Sequence, residues 1–123
     1  LSKREPLVGS WEARWGYVAG QNLVEDGLPE AVMCANDEVA VGLLCAFAEA
    51  GVSVPGDVSV AGFDDVPMAA YAGPGLTTVR QDFADLGRCA LEAVSYALDG
   101  ESVDTYVRPT RLVVRGSTGV CPR

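Results

Sequence analysis

Three short apolar runs in this chain each end on residues able to hold a small polar molecule. Leu7-Val8-Gly9 leads into Ser10-Trp11, the run 31–35 into Asn36-Asp37, and the run 58–61, through Gly62, into Phe63-Asp64-Asp65. An aromatic face supplies apolar contact and stacking, while carboxylates and a side-chain amide take paired hydrogen bonds from neighbouring hydroxyls. That combination suits a polyhydroxylated or nucleoside-like ligand. Each group also has a plainer role open to it. Asn36-Asp37 can cap the following helix, Trp11 can be core, and Asp64-Asp65 can form a turn after Gly62. The case for a site rests on three independent run ends agreeing.

Asp37, Asp64 and Asp65 also allow an enzymatic reading, as general acid and base in glycoside hydrolysis or as the acidic pocket of a phospho-receiver. Receiver chemistry wants a nearby lysine, and the only lysine here is Lys3. No P-loop or G-x-G-x-x-G cradles a nucleotide phosphate. The chain has no histidine, which excludes a His-dependent triad, an imidazole base and any His-containing metal site. Cys34, Cys45, Cys89 and Cys121 form no CxxC pair, and three of them lie in apolar runs. They read as reduced, buried small hydrophobes. No catalytic residue, metal or cofactor is expected.

The elements that must position these groups follow from periodicity and capping. Residues 13–25 have helical spacing and stop at Asp26-Gly27. The continuous apolar run 31–35 reads as a strand buried on both faces. Asn36 caps a helix over 38–50, closed by Gly51 and apolar nearly all round, as expected of a buried or interfacial helix. Residues 58–61 form a strand, 66–75 a loop with one helical turn, and 76–79 an extended segment. Asp82 caps a helix over 83–98 with Gly100 beyond it, and 111–115 is a last strand. With Leu7-Val8-Gly9 as the end of a first strand, the order is β-α-β-α-β-β-α-β. Crossovers of this length suit parallel connections, and the fold class is α/β with a doubly wound parallel sheet. In such sheets ligands bind at the carboxyl ends of the strands, where the three residue groups fall.

The 123 residues make about one domain, and a 49% hydrophobic content supplies a core. Seventeen acidic residues against nine basic ones give a net charge of −8, without the basic stripe that phosphate binding requires. This segment alone is therefore a poor nucleic-acid ligand. No apolar stretch reaches membrane-spanning length, and the charged N-terminus is not a signal peptide. A cytoplasmic location with no membrane partner is expected.

Spaced motifs then give a resemblance. Ala35-Asn36-Asp37-Glu38-Val39-Ala40-Val41-Gly42, the run 51–65 (GVSVPGDVSVAGFDD), the run 76–83 (LTTVRQDF) with Leu86-Gly87, and Leu112-Val113-Val114-Arg115-Gly116-Ser117 are similar to the LacI/GalR transcriptional regulators. With Gly9-Ser10-Trp11 and Gly16-Tyr17, the similarity runs from about residue 6 to residue 117. It implies a periplasmic-binding-protein-like (type I) effector domain of two lobes, with a small molecule in the cleft between them. It further implies a homodimer that reads operator DNA through an N-terminal helix-turn-helix. Positions matching Trp11, Asn36, Asp64 and Phe83 contact the effector in that family, and Asp37 is grouped with them as a rim carboxylate. The helix beginning at Asp37 and the segment 66–73 resemble the dimer surface, which assigns Val41, Leu44, Cys45, Met68 and Tyr71 to it.

Two departures stand out. Ser10 replaces the family's usual Asp, and Glu12 and Trp15 replace small residues. The resemblance places the helix-turn-helix, the hinge, most of the first lobe and the opening β-α unit of the second lobe outside this chain, making it an incomplete C-terminal portion. It divides the chain into second lobe (1–82), crossover helix (83–105), return strand (106–117) and tail (118–123). The crossover helix would expose an apolar stripe of Leu86, Ala90, Ala93, Val94 and Ala97, and the piece is expected to self-associate. The expected function is effector sensing and dimerisation in a regulator. A sugar-binding protein of a transport system with the same fold is the alternative.

Overall fold

The computed structural model describes residues 5–103, 105 and 107–120, so Lys3 and Cys121 lie outside the described residues. In chain order the elements are α1 (Ala13–Asp26), β1 (Ala31–Met33), α2 (Asp37–Glu49), β2 (Ser59–Ala61), a 3-10 turn (Pro67–Ala70), β3 (Thr78–Arg80), α3 (Phe83–Leu98) and β4 (Arg111–Val113). Every helix expected from the sequence forms, with bounds moved by a residue at most.

Local chemistry accounts for the helix limits. The Asn36 side chain accepts a hydrogen bond from the Val39 amide at 2.8 Å, and Asp37 and Glu38 place negative charge in the first turn of α2. Asp82 caps α3 in the same way through the Asp85 amide, at 2.9 Å. Helix α1 lies against α2 with backbones in direct approach. A Cβ on Gly16 would collide with the Val39 carbonyl, and one on Gly42 with the Ala13 carbonyl. Only glycine permits that contact. Below it, Leu23, Cys34, Ala40, Leu43, Leu44, Phe47, Val58, Val60, Ala69 and Leu76 form one core cluster.

β1 and β2 pair in parallel, with Val32 opposite Val60. Parallel bridges Ala61↔Thr77 and Asp64↔Arg80 carry the arrangement on to β3. The α/β class with parallel pairing through the first three strands is as expected, but three strand expectations need correction. Leu7-Val8-Gly9 is not a strand; it is exposed and, among the described residues, has no ladder partner. An apolar run becomes a strand only where another strand accepts its hydrogen bonds. β1 is covered on one face only, with Met33 exposed. β4 runs antiparallel to β3, with Arg80 opposite Arg111, so the excursion through α3 leaves and re-enters at the same end of the sheet. A parallel return would have had to recross its length.

After β4 the chain turns inward. Ser117 is fully buried; its hydroxyl donates to the Val60 carbonyl at 2.6 Å and accepts from the Thr77 amide at 2.8 Å. Residues 115–118 are thereby stitched between β2 and the approach to β3. Helix α3 stands apart from this body. Leu86, Leu91, Val94, Tyr96 and Leu98 are exposed along it, and Cys89 is its only buried residue.

Candidate functional site

The strand ends converge through a chain of hydrogen bonds. The Asn36 amide that caps α2 also donates to the Trp11 carbonyl at 3.0 Å, fixing the entry to α1 beside the end of β1. One residue on, the Asp37 amide donates to the Phe63 carbonyl at 2.9 Å, which locks the α2 N-terminus to the end of β2. Asp64 follows; its amide donates to the Val79 carbonyl at 2.8 Å, and its carboxylate accepts from Gln81 Nε2 at 2.8 Å. Gln81 lies two residues before Phe83. Hydrogen bonds thus link Trp11, Asn36 and the Asp64 turn, Phe83 follows two residues after Gln81, and both aromatic side chains are open to solvent, Trp11 at 68% and Phe83 at 52%.

Asp37 departs from its expected role. Its side chain is fully buried, with Oδ1 accepting from the Thr78 hydroxyl at 2.5 Å and Oδ2 from the Val66 amide at 2.9 Å. Its carboxylate faces inward and holds α2, β3 and the start of the 3-10 turn together. Both of its oxygens are thereby taken up inside the fold, unlike the open rim position expected of it. The cap at Asn36 turns the next side chain toward the sheet, where Gly62 leaves room for it; a Cβ there would strike Asp37 Oδ1.

Asp64 and Asp65 both have left-handed backbone conformations, with φ of 115° and 56°. Aspartate is among the few non-glycine residues that tolerate this region, at about 1–3 kcal/mol each where the surroundings over-determine it. Here they do. The Asp65 carboxylate accepts from Arg115 Nη2 at 2.6 Å and from Arg80, and the Asp65 amide donates to the Thr78 hydroxyl at 3.4 Å. Burial pushes the Asp65 carboxyl up. The hydrogen bonds and charges of Arg115 and Arg80 outweigh that and leave it below the usual carboxylate range. Under the rim, burial and the neighbouring Asp37 push the Cys34 thiol up to about 12.

Comparison with known proteins bears on this arrangement. A family model described as the periplasmic binding protein-like domain matches residues 2–118. The transcriptional repressor MelR of Bacillus subtilis is 36% identical over 115 residues, covering 92% of this chain and 33% of MelR. The lactose operon repressor of Rhizobium radiobacter is 35% identical over 104 residues, covering 83% of this chain and 92% of that protein. The chain belongs to the LacI/GalR family. The solved Lac repressor dimer bound to operator and the anti-inducer ONPF superposes with a TM-score of 0.83 at 34% identity, covering 89% of this chain and 39% of that one. The fold is therefore periplasmic-binding-protein-like. This LacI/GalR chain spans about a third of the length of MelR.

Of the surface residues the resemblance assigns to a LacI/GalR dimer face, Cys45, Met68 and Tyr71 are exposed and Val41 is half-buried. Leu44 instead turns inward and belongs to the core cluster; helical spacing puts it on the side of Leu43 and Phe47. Residues that the sequence reading left out of the site are Thr78, Arg80, Gln81 and Arg115. The unusually polar TTVRQD run inside a strand–helix passage was the available signal for three of them. Arg115 lies in the LVVRGS motif, but nothing local pairs it with Asp65, fifty residues away. Among the described residues no group of His, Cys, Asp and Glu is arranged to hold a metal ion, and no helix is long and apolar enough to cross a membrane.

Proposed function

We propose that this chain is the effector-sensing and dimerisation portion of a LacI/GalR-type transcriptional regulator. A small sugar-like or nucleoside-like metabolite binds at the rim. Trp11 and Phe83 offer flat apolar faces, and Asp64 and the cap amide of Asn36 take its hydroxyls. Asp37 serves by holding the rim in place. Binding alters operator affinity through a helix-turn-helix outside these residues, since a segment of net charge −8 carries no phosphate-binding stripe of its own. Val41, Cys45, Met68 and Tyr71 form the homodimer face, with Leu44 packed behind them.

In this reading residues 1–82 form a lobe, α3 and its continuation to 105 the crossover that packs on the other lobe, 106–117 the return strand, and 118–123 a tail. The protein works in the cytoplasm and is not an enzyme, consistent with the inward-facing carboxylate of Asp37. The observation that carries the proposal is the hydrogen-bonded run of strand ends from Trp11 through Asn36 and the Asp37–Phe63 link to Asp64, with the Trp11 and Phe83 side chains exposed. That the relatives are named transcriptional repressors favours regulation over transport.

Isothermal calorimetry of the intact regulator against a panel of sugars and nucleosides, followed by operator-binding assays, tests it. Trp11→Ala and Asp64→Ala each weaken effector binding by roughly 1–3 kcal/mol. Unchanged affinity in both variants would move the pocket elsewhere.

A further inference from the structure

Asp65 sits next to the rim carboxylate but faces away from it, into a cluster of charges from two other parts of the chain. Its side chain is 3% exposed and bridges Arg115 of the C-terminal segment and Arg80 at the end of β3. Arg115 is itself held: Nη1 donates to the Leu76 carbonyl at 2.7 Å, and its backbone amide donates to the Thr77 hydroxyl at 2.9 Å. The Thr78 hydroxyl that receives the Asp65 amide donates in turn to Asp37. A buried carboxylate with two guanidinium partners is worth keeping only in a fixed geometry. The geometry it fixes is the pair of left-handed residues on which Asp64 is presented.

We infer that Asp65, clamped by Arg115 and Arg80, is a positioning residue that holds Asp64 at the effector rim without touching the ligand, and so makes the binding site depend on the C-terminal segment. The inference rests on the effector site proposed above, and its first test needs no ligand. Asp65→Asn keeps the volume and removes the charge. Residue-resolved hydrogen exchange on the intact protein then reads the Asp64 amide, which donates to Val79, and the Gln81 amide, against the amides of Leu43 and Phe47 in α2.

The expected result is exchange about tenfold or more faster at Asp64 and Gln81, with α2 unchanged. Exchange raised equally everywhere, or unchanged at Asp64, would overturn the clamp. Arg80→Gln removes only the half-exposed arm. It gives the same local pattern at smaller amplitude, and it decides the matter if Asp65→Asn does not fold. With any sugar or nucleoside that the calorimetric panel shows to bind, Asp65→Asn weakens affinity about tenfold, and Arg115→Lys, which keeps one charge and one donor head, recovers part of what Arg115→Ala loses. If the panel yields no ligand, the effector reading fails while the exchange pattern still stands or falls alone.

Discussion

Replacing Asp37 separates the two roles open to it, ligand contact and internal brace. In Asp37→Ala the Thr78 hydroxyl and the Val66 amide each lose a charged acceptor, and Thr78 has no exposure to water through which to recover it. Hydrogen bonds to charged groups contribute about 1.5–3 kcal/mol each. The methyl group also leaves a void beneath Gly62, so a loss of at least about 3–6 kcal/mol is expected. Against a total of about 5–15 kcal/mol for a domain, that is a severe defect. With a urea m-value of about 2 kcal/mol/M, the midpoint falls by roughly 1.5–3 M. Asp37→Asn keeps an oxygen for Val66 but turns a donor toward Thr78, whose buried hydroxyl proton loses its acceptor, so it costs about 1–3 kcal/mol. Urea titrations followed by circular dichroism read both variants. A midpoint in Asp37→Ala within about 0.3 M of the parent, together with lost effector binding, would refute the brace and return Asp37 to the ligand set.

Other expectations follow from the same geometry. Gly16→Ala and Gly42→Ala each force α1 and α2 apart against backbone atoms and lower stability by at least about 1–3 kcal/mol, read by thermal melts. The Asp65 carboxyl titrates below its unfolded value, so its contribution is present above the ordinary carboxylate range and is lost as pH falls through the lowered folded value. Melting temperature therefore declines on acidification below about pH 4, and Asp65→Asn shows a shallower decline in the same scan. Cys45 is exposed whereas Cys34 is buried with its thiol pushed up to about 12. A thiol-specific reagent at pH 8 therefore leaves Cys34 unmodified until unfolding and modifies Cys45 promptly only where the proposed homodimer is dissociated, as peptide mass mapping across a dilution series would report.

Helices were legible where end signals and periodicity agreed. Asp82 and Gly100 bracket α3, and Asn36 and Gly51 bracket α2, because caps act within a few residues of the groups they satisfy. Strand partnership was not legible in this way. Leu7-Val8-Gly9 carries the same apolar character as the β2 segment, and only a partner distinguishes them. The direction of β4 depended on where α3 delivers the chain. At the site, the rim positions were legible because strand ends in parallel sheets collect ligands, and the motif spacing marked the family. Side-chain direction was the hidden part. Asp37 and Asp64 look alike in sequence, yet one points into the core and the other along the rim. The reason lies in Thr78 and Val66, about thirty to forty residues away.

Ser117 carries a consequence for how this chain acquires its shape. Its hydroxyl joins Val60, 57 residues earlier, to Thr77, 40 residues earlier. During synthesis at about 5–20 residues per second, the β2 carbonyl and the Thr77 amide wait seconds for the group that satisfies them. Contacts of such long sequence separation make closure late and slow. Until Ser117 emerges, the nascent chain holds an open seam between β2 and β3, and a ribosome that stalls before it leaves that seam exposed to chaperones and to other nascent chains.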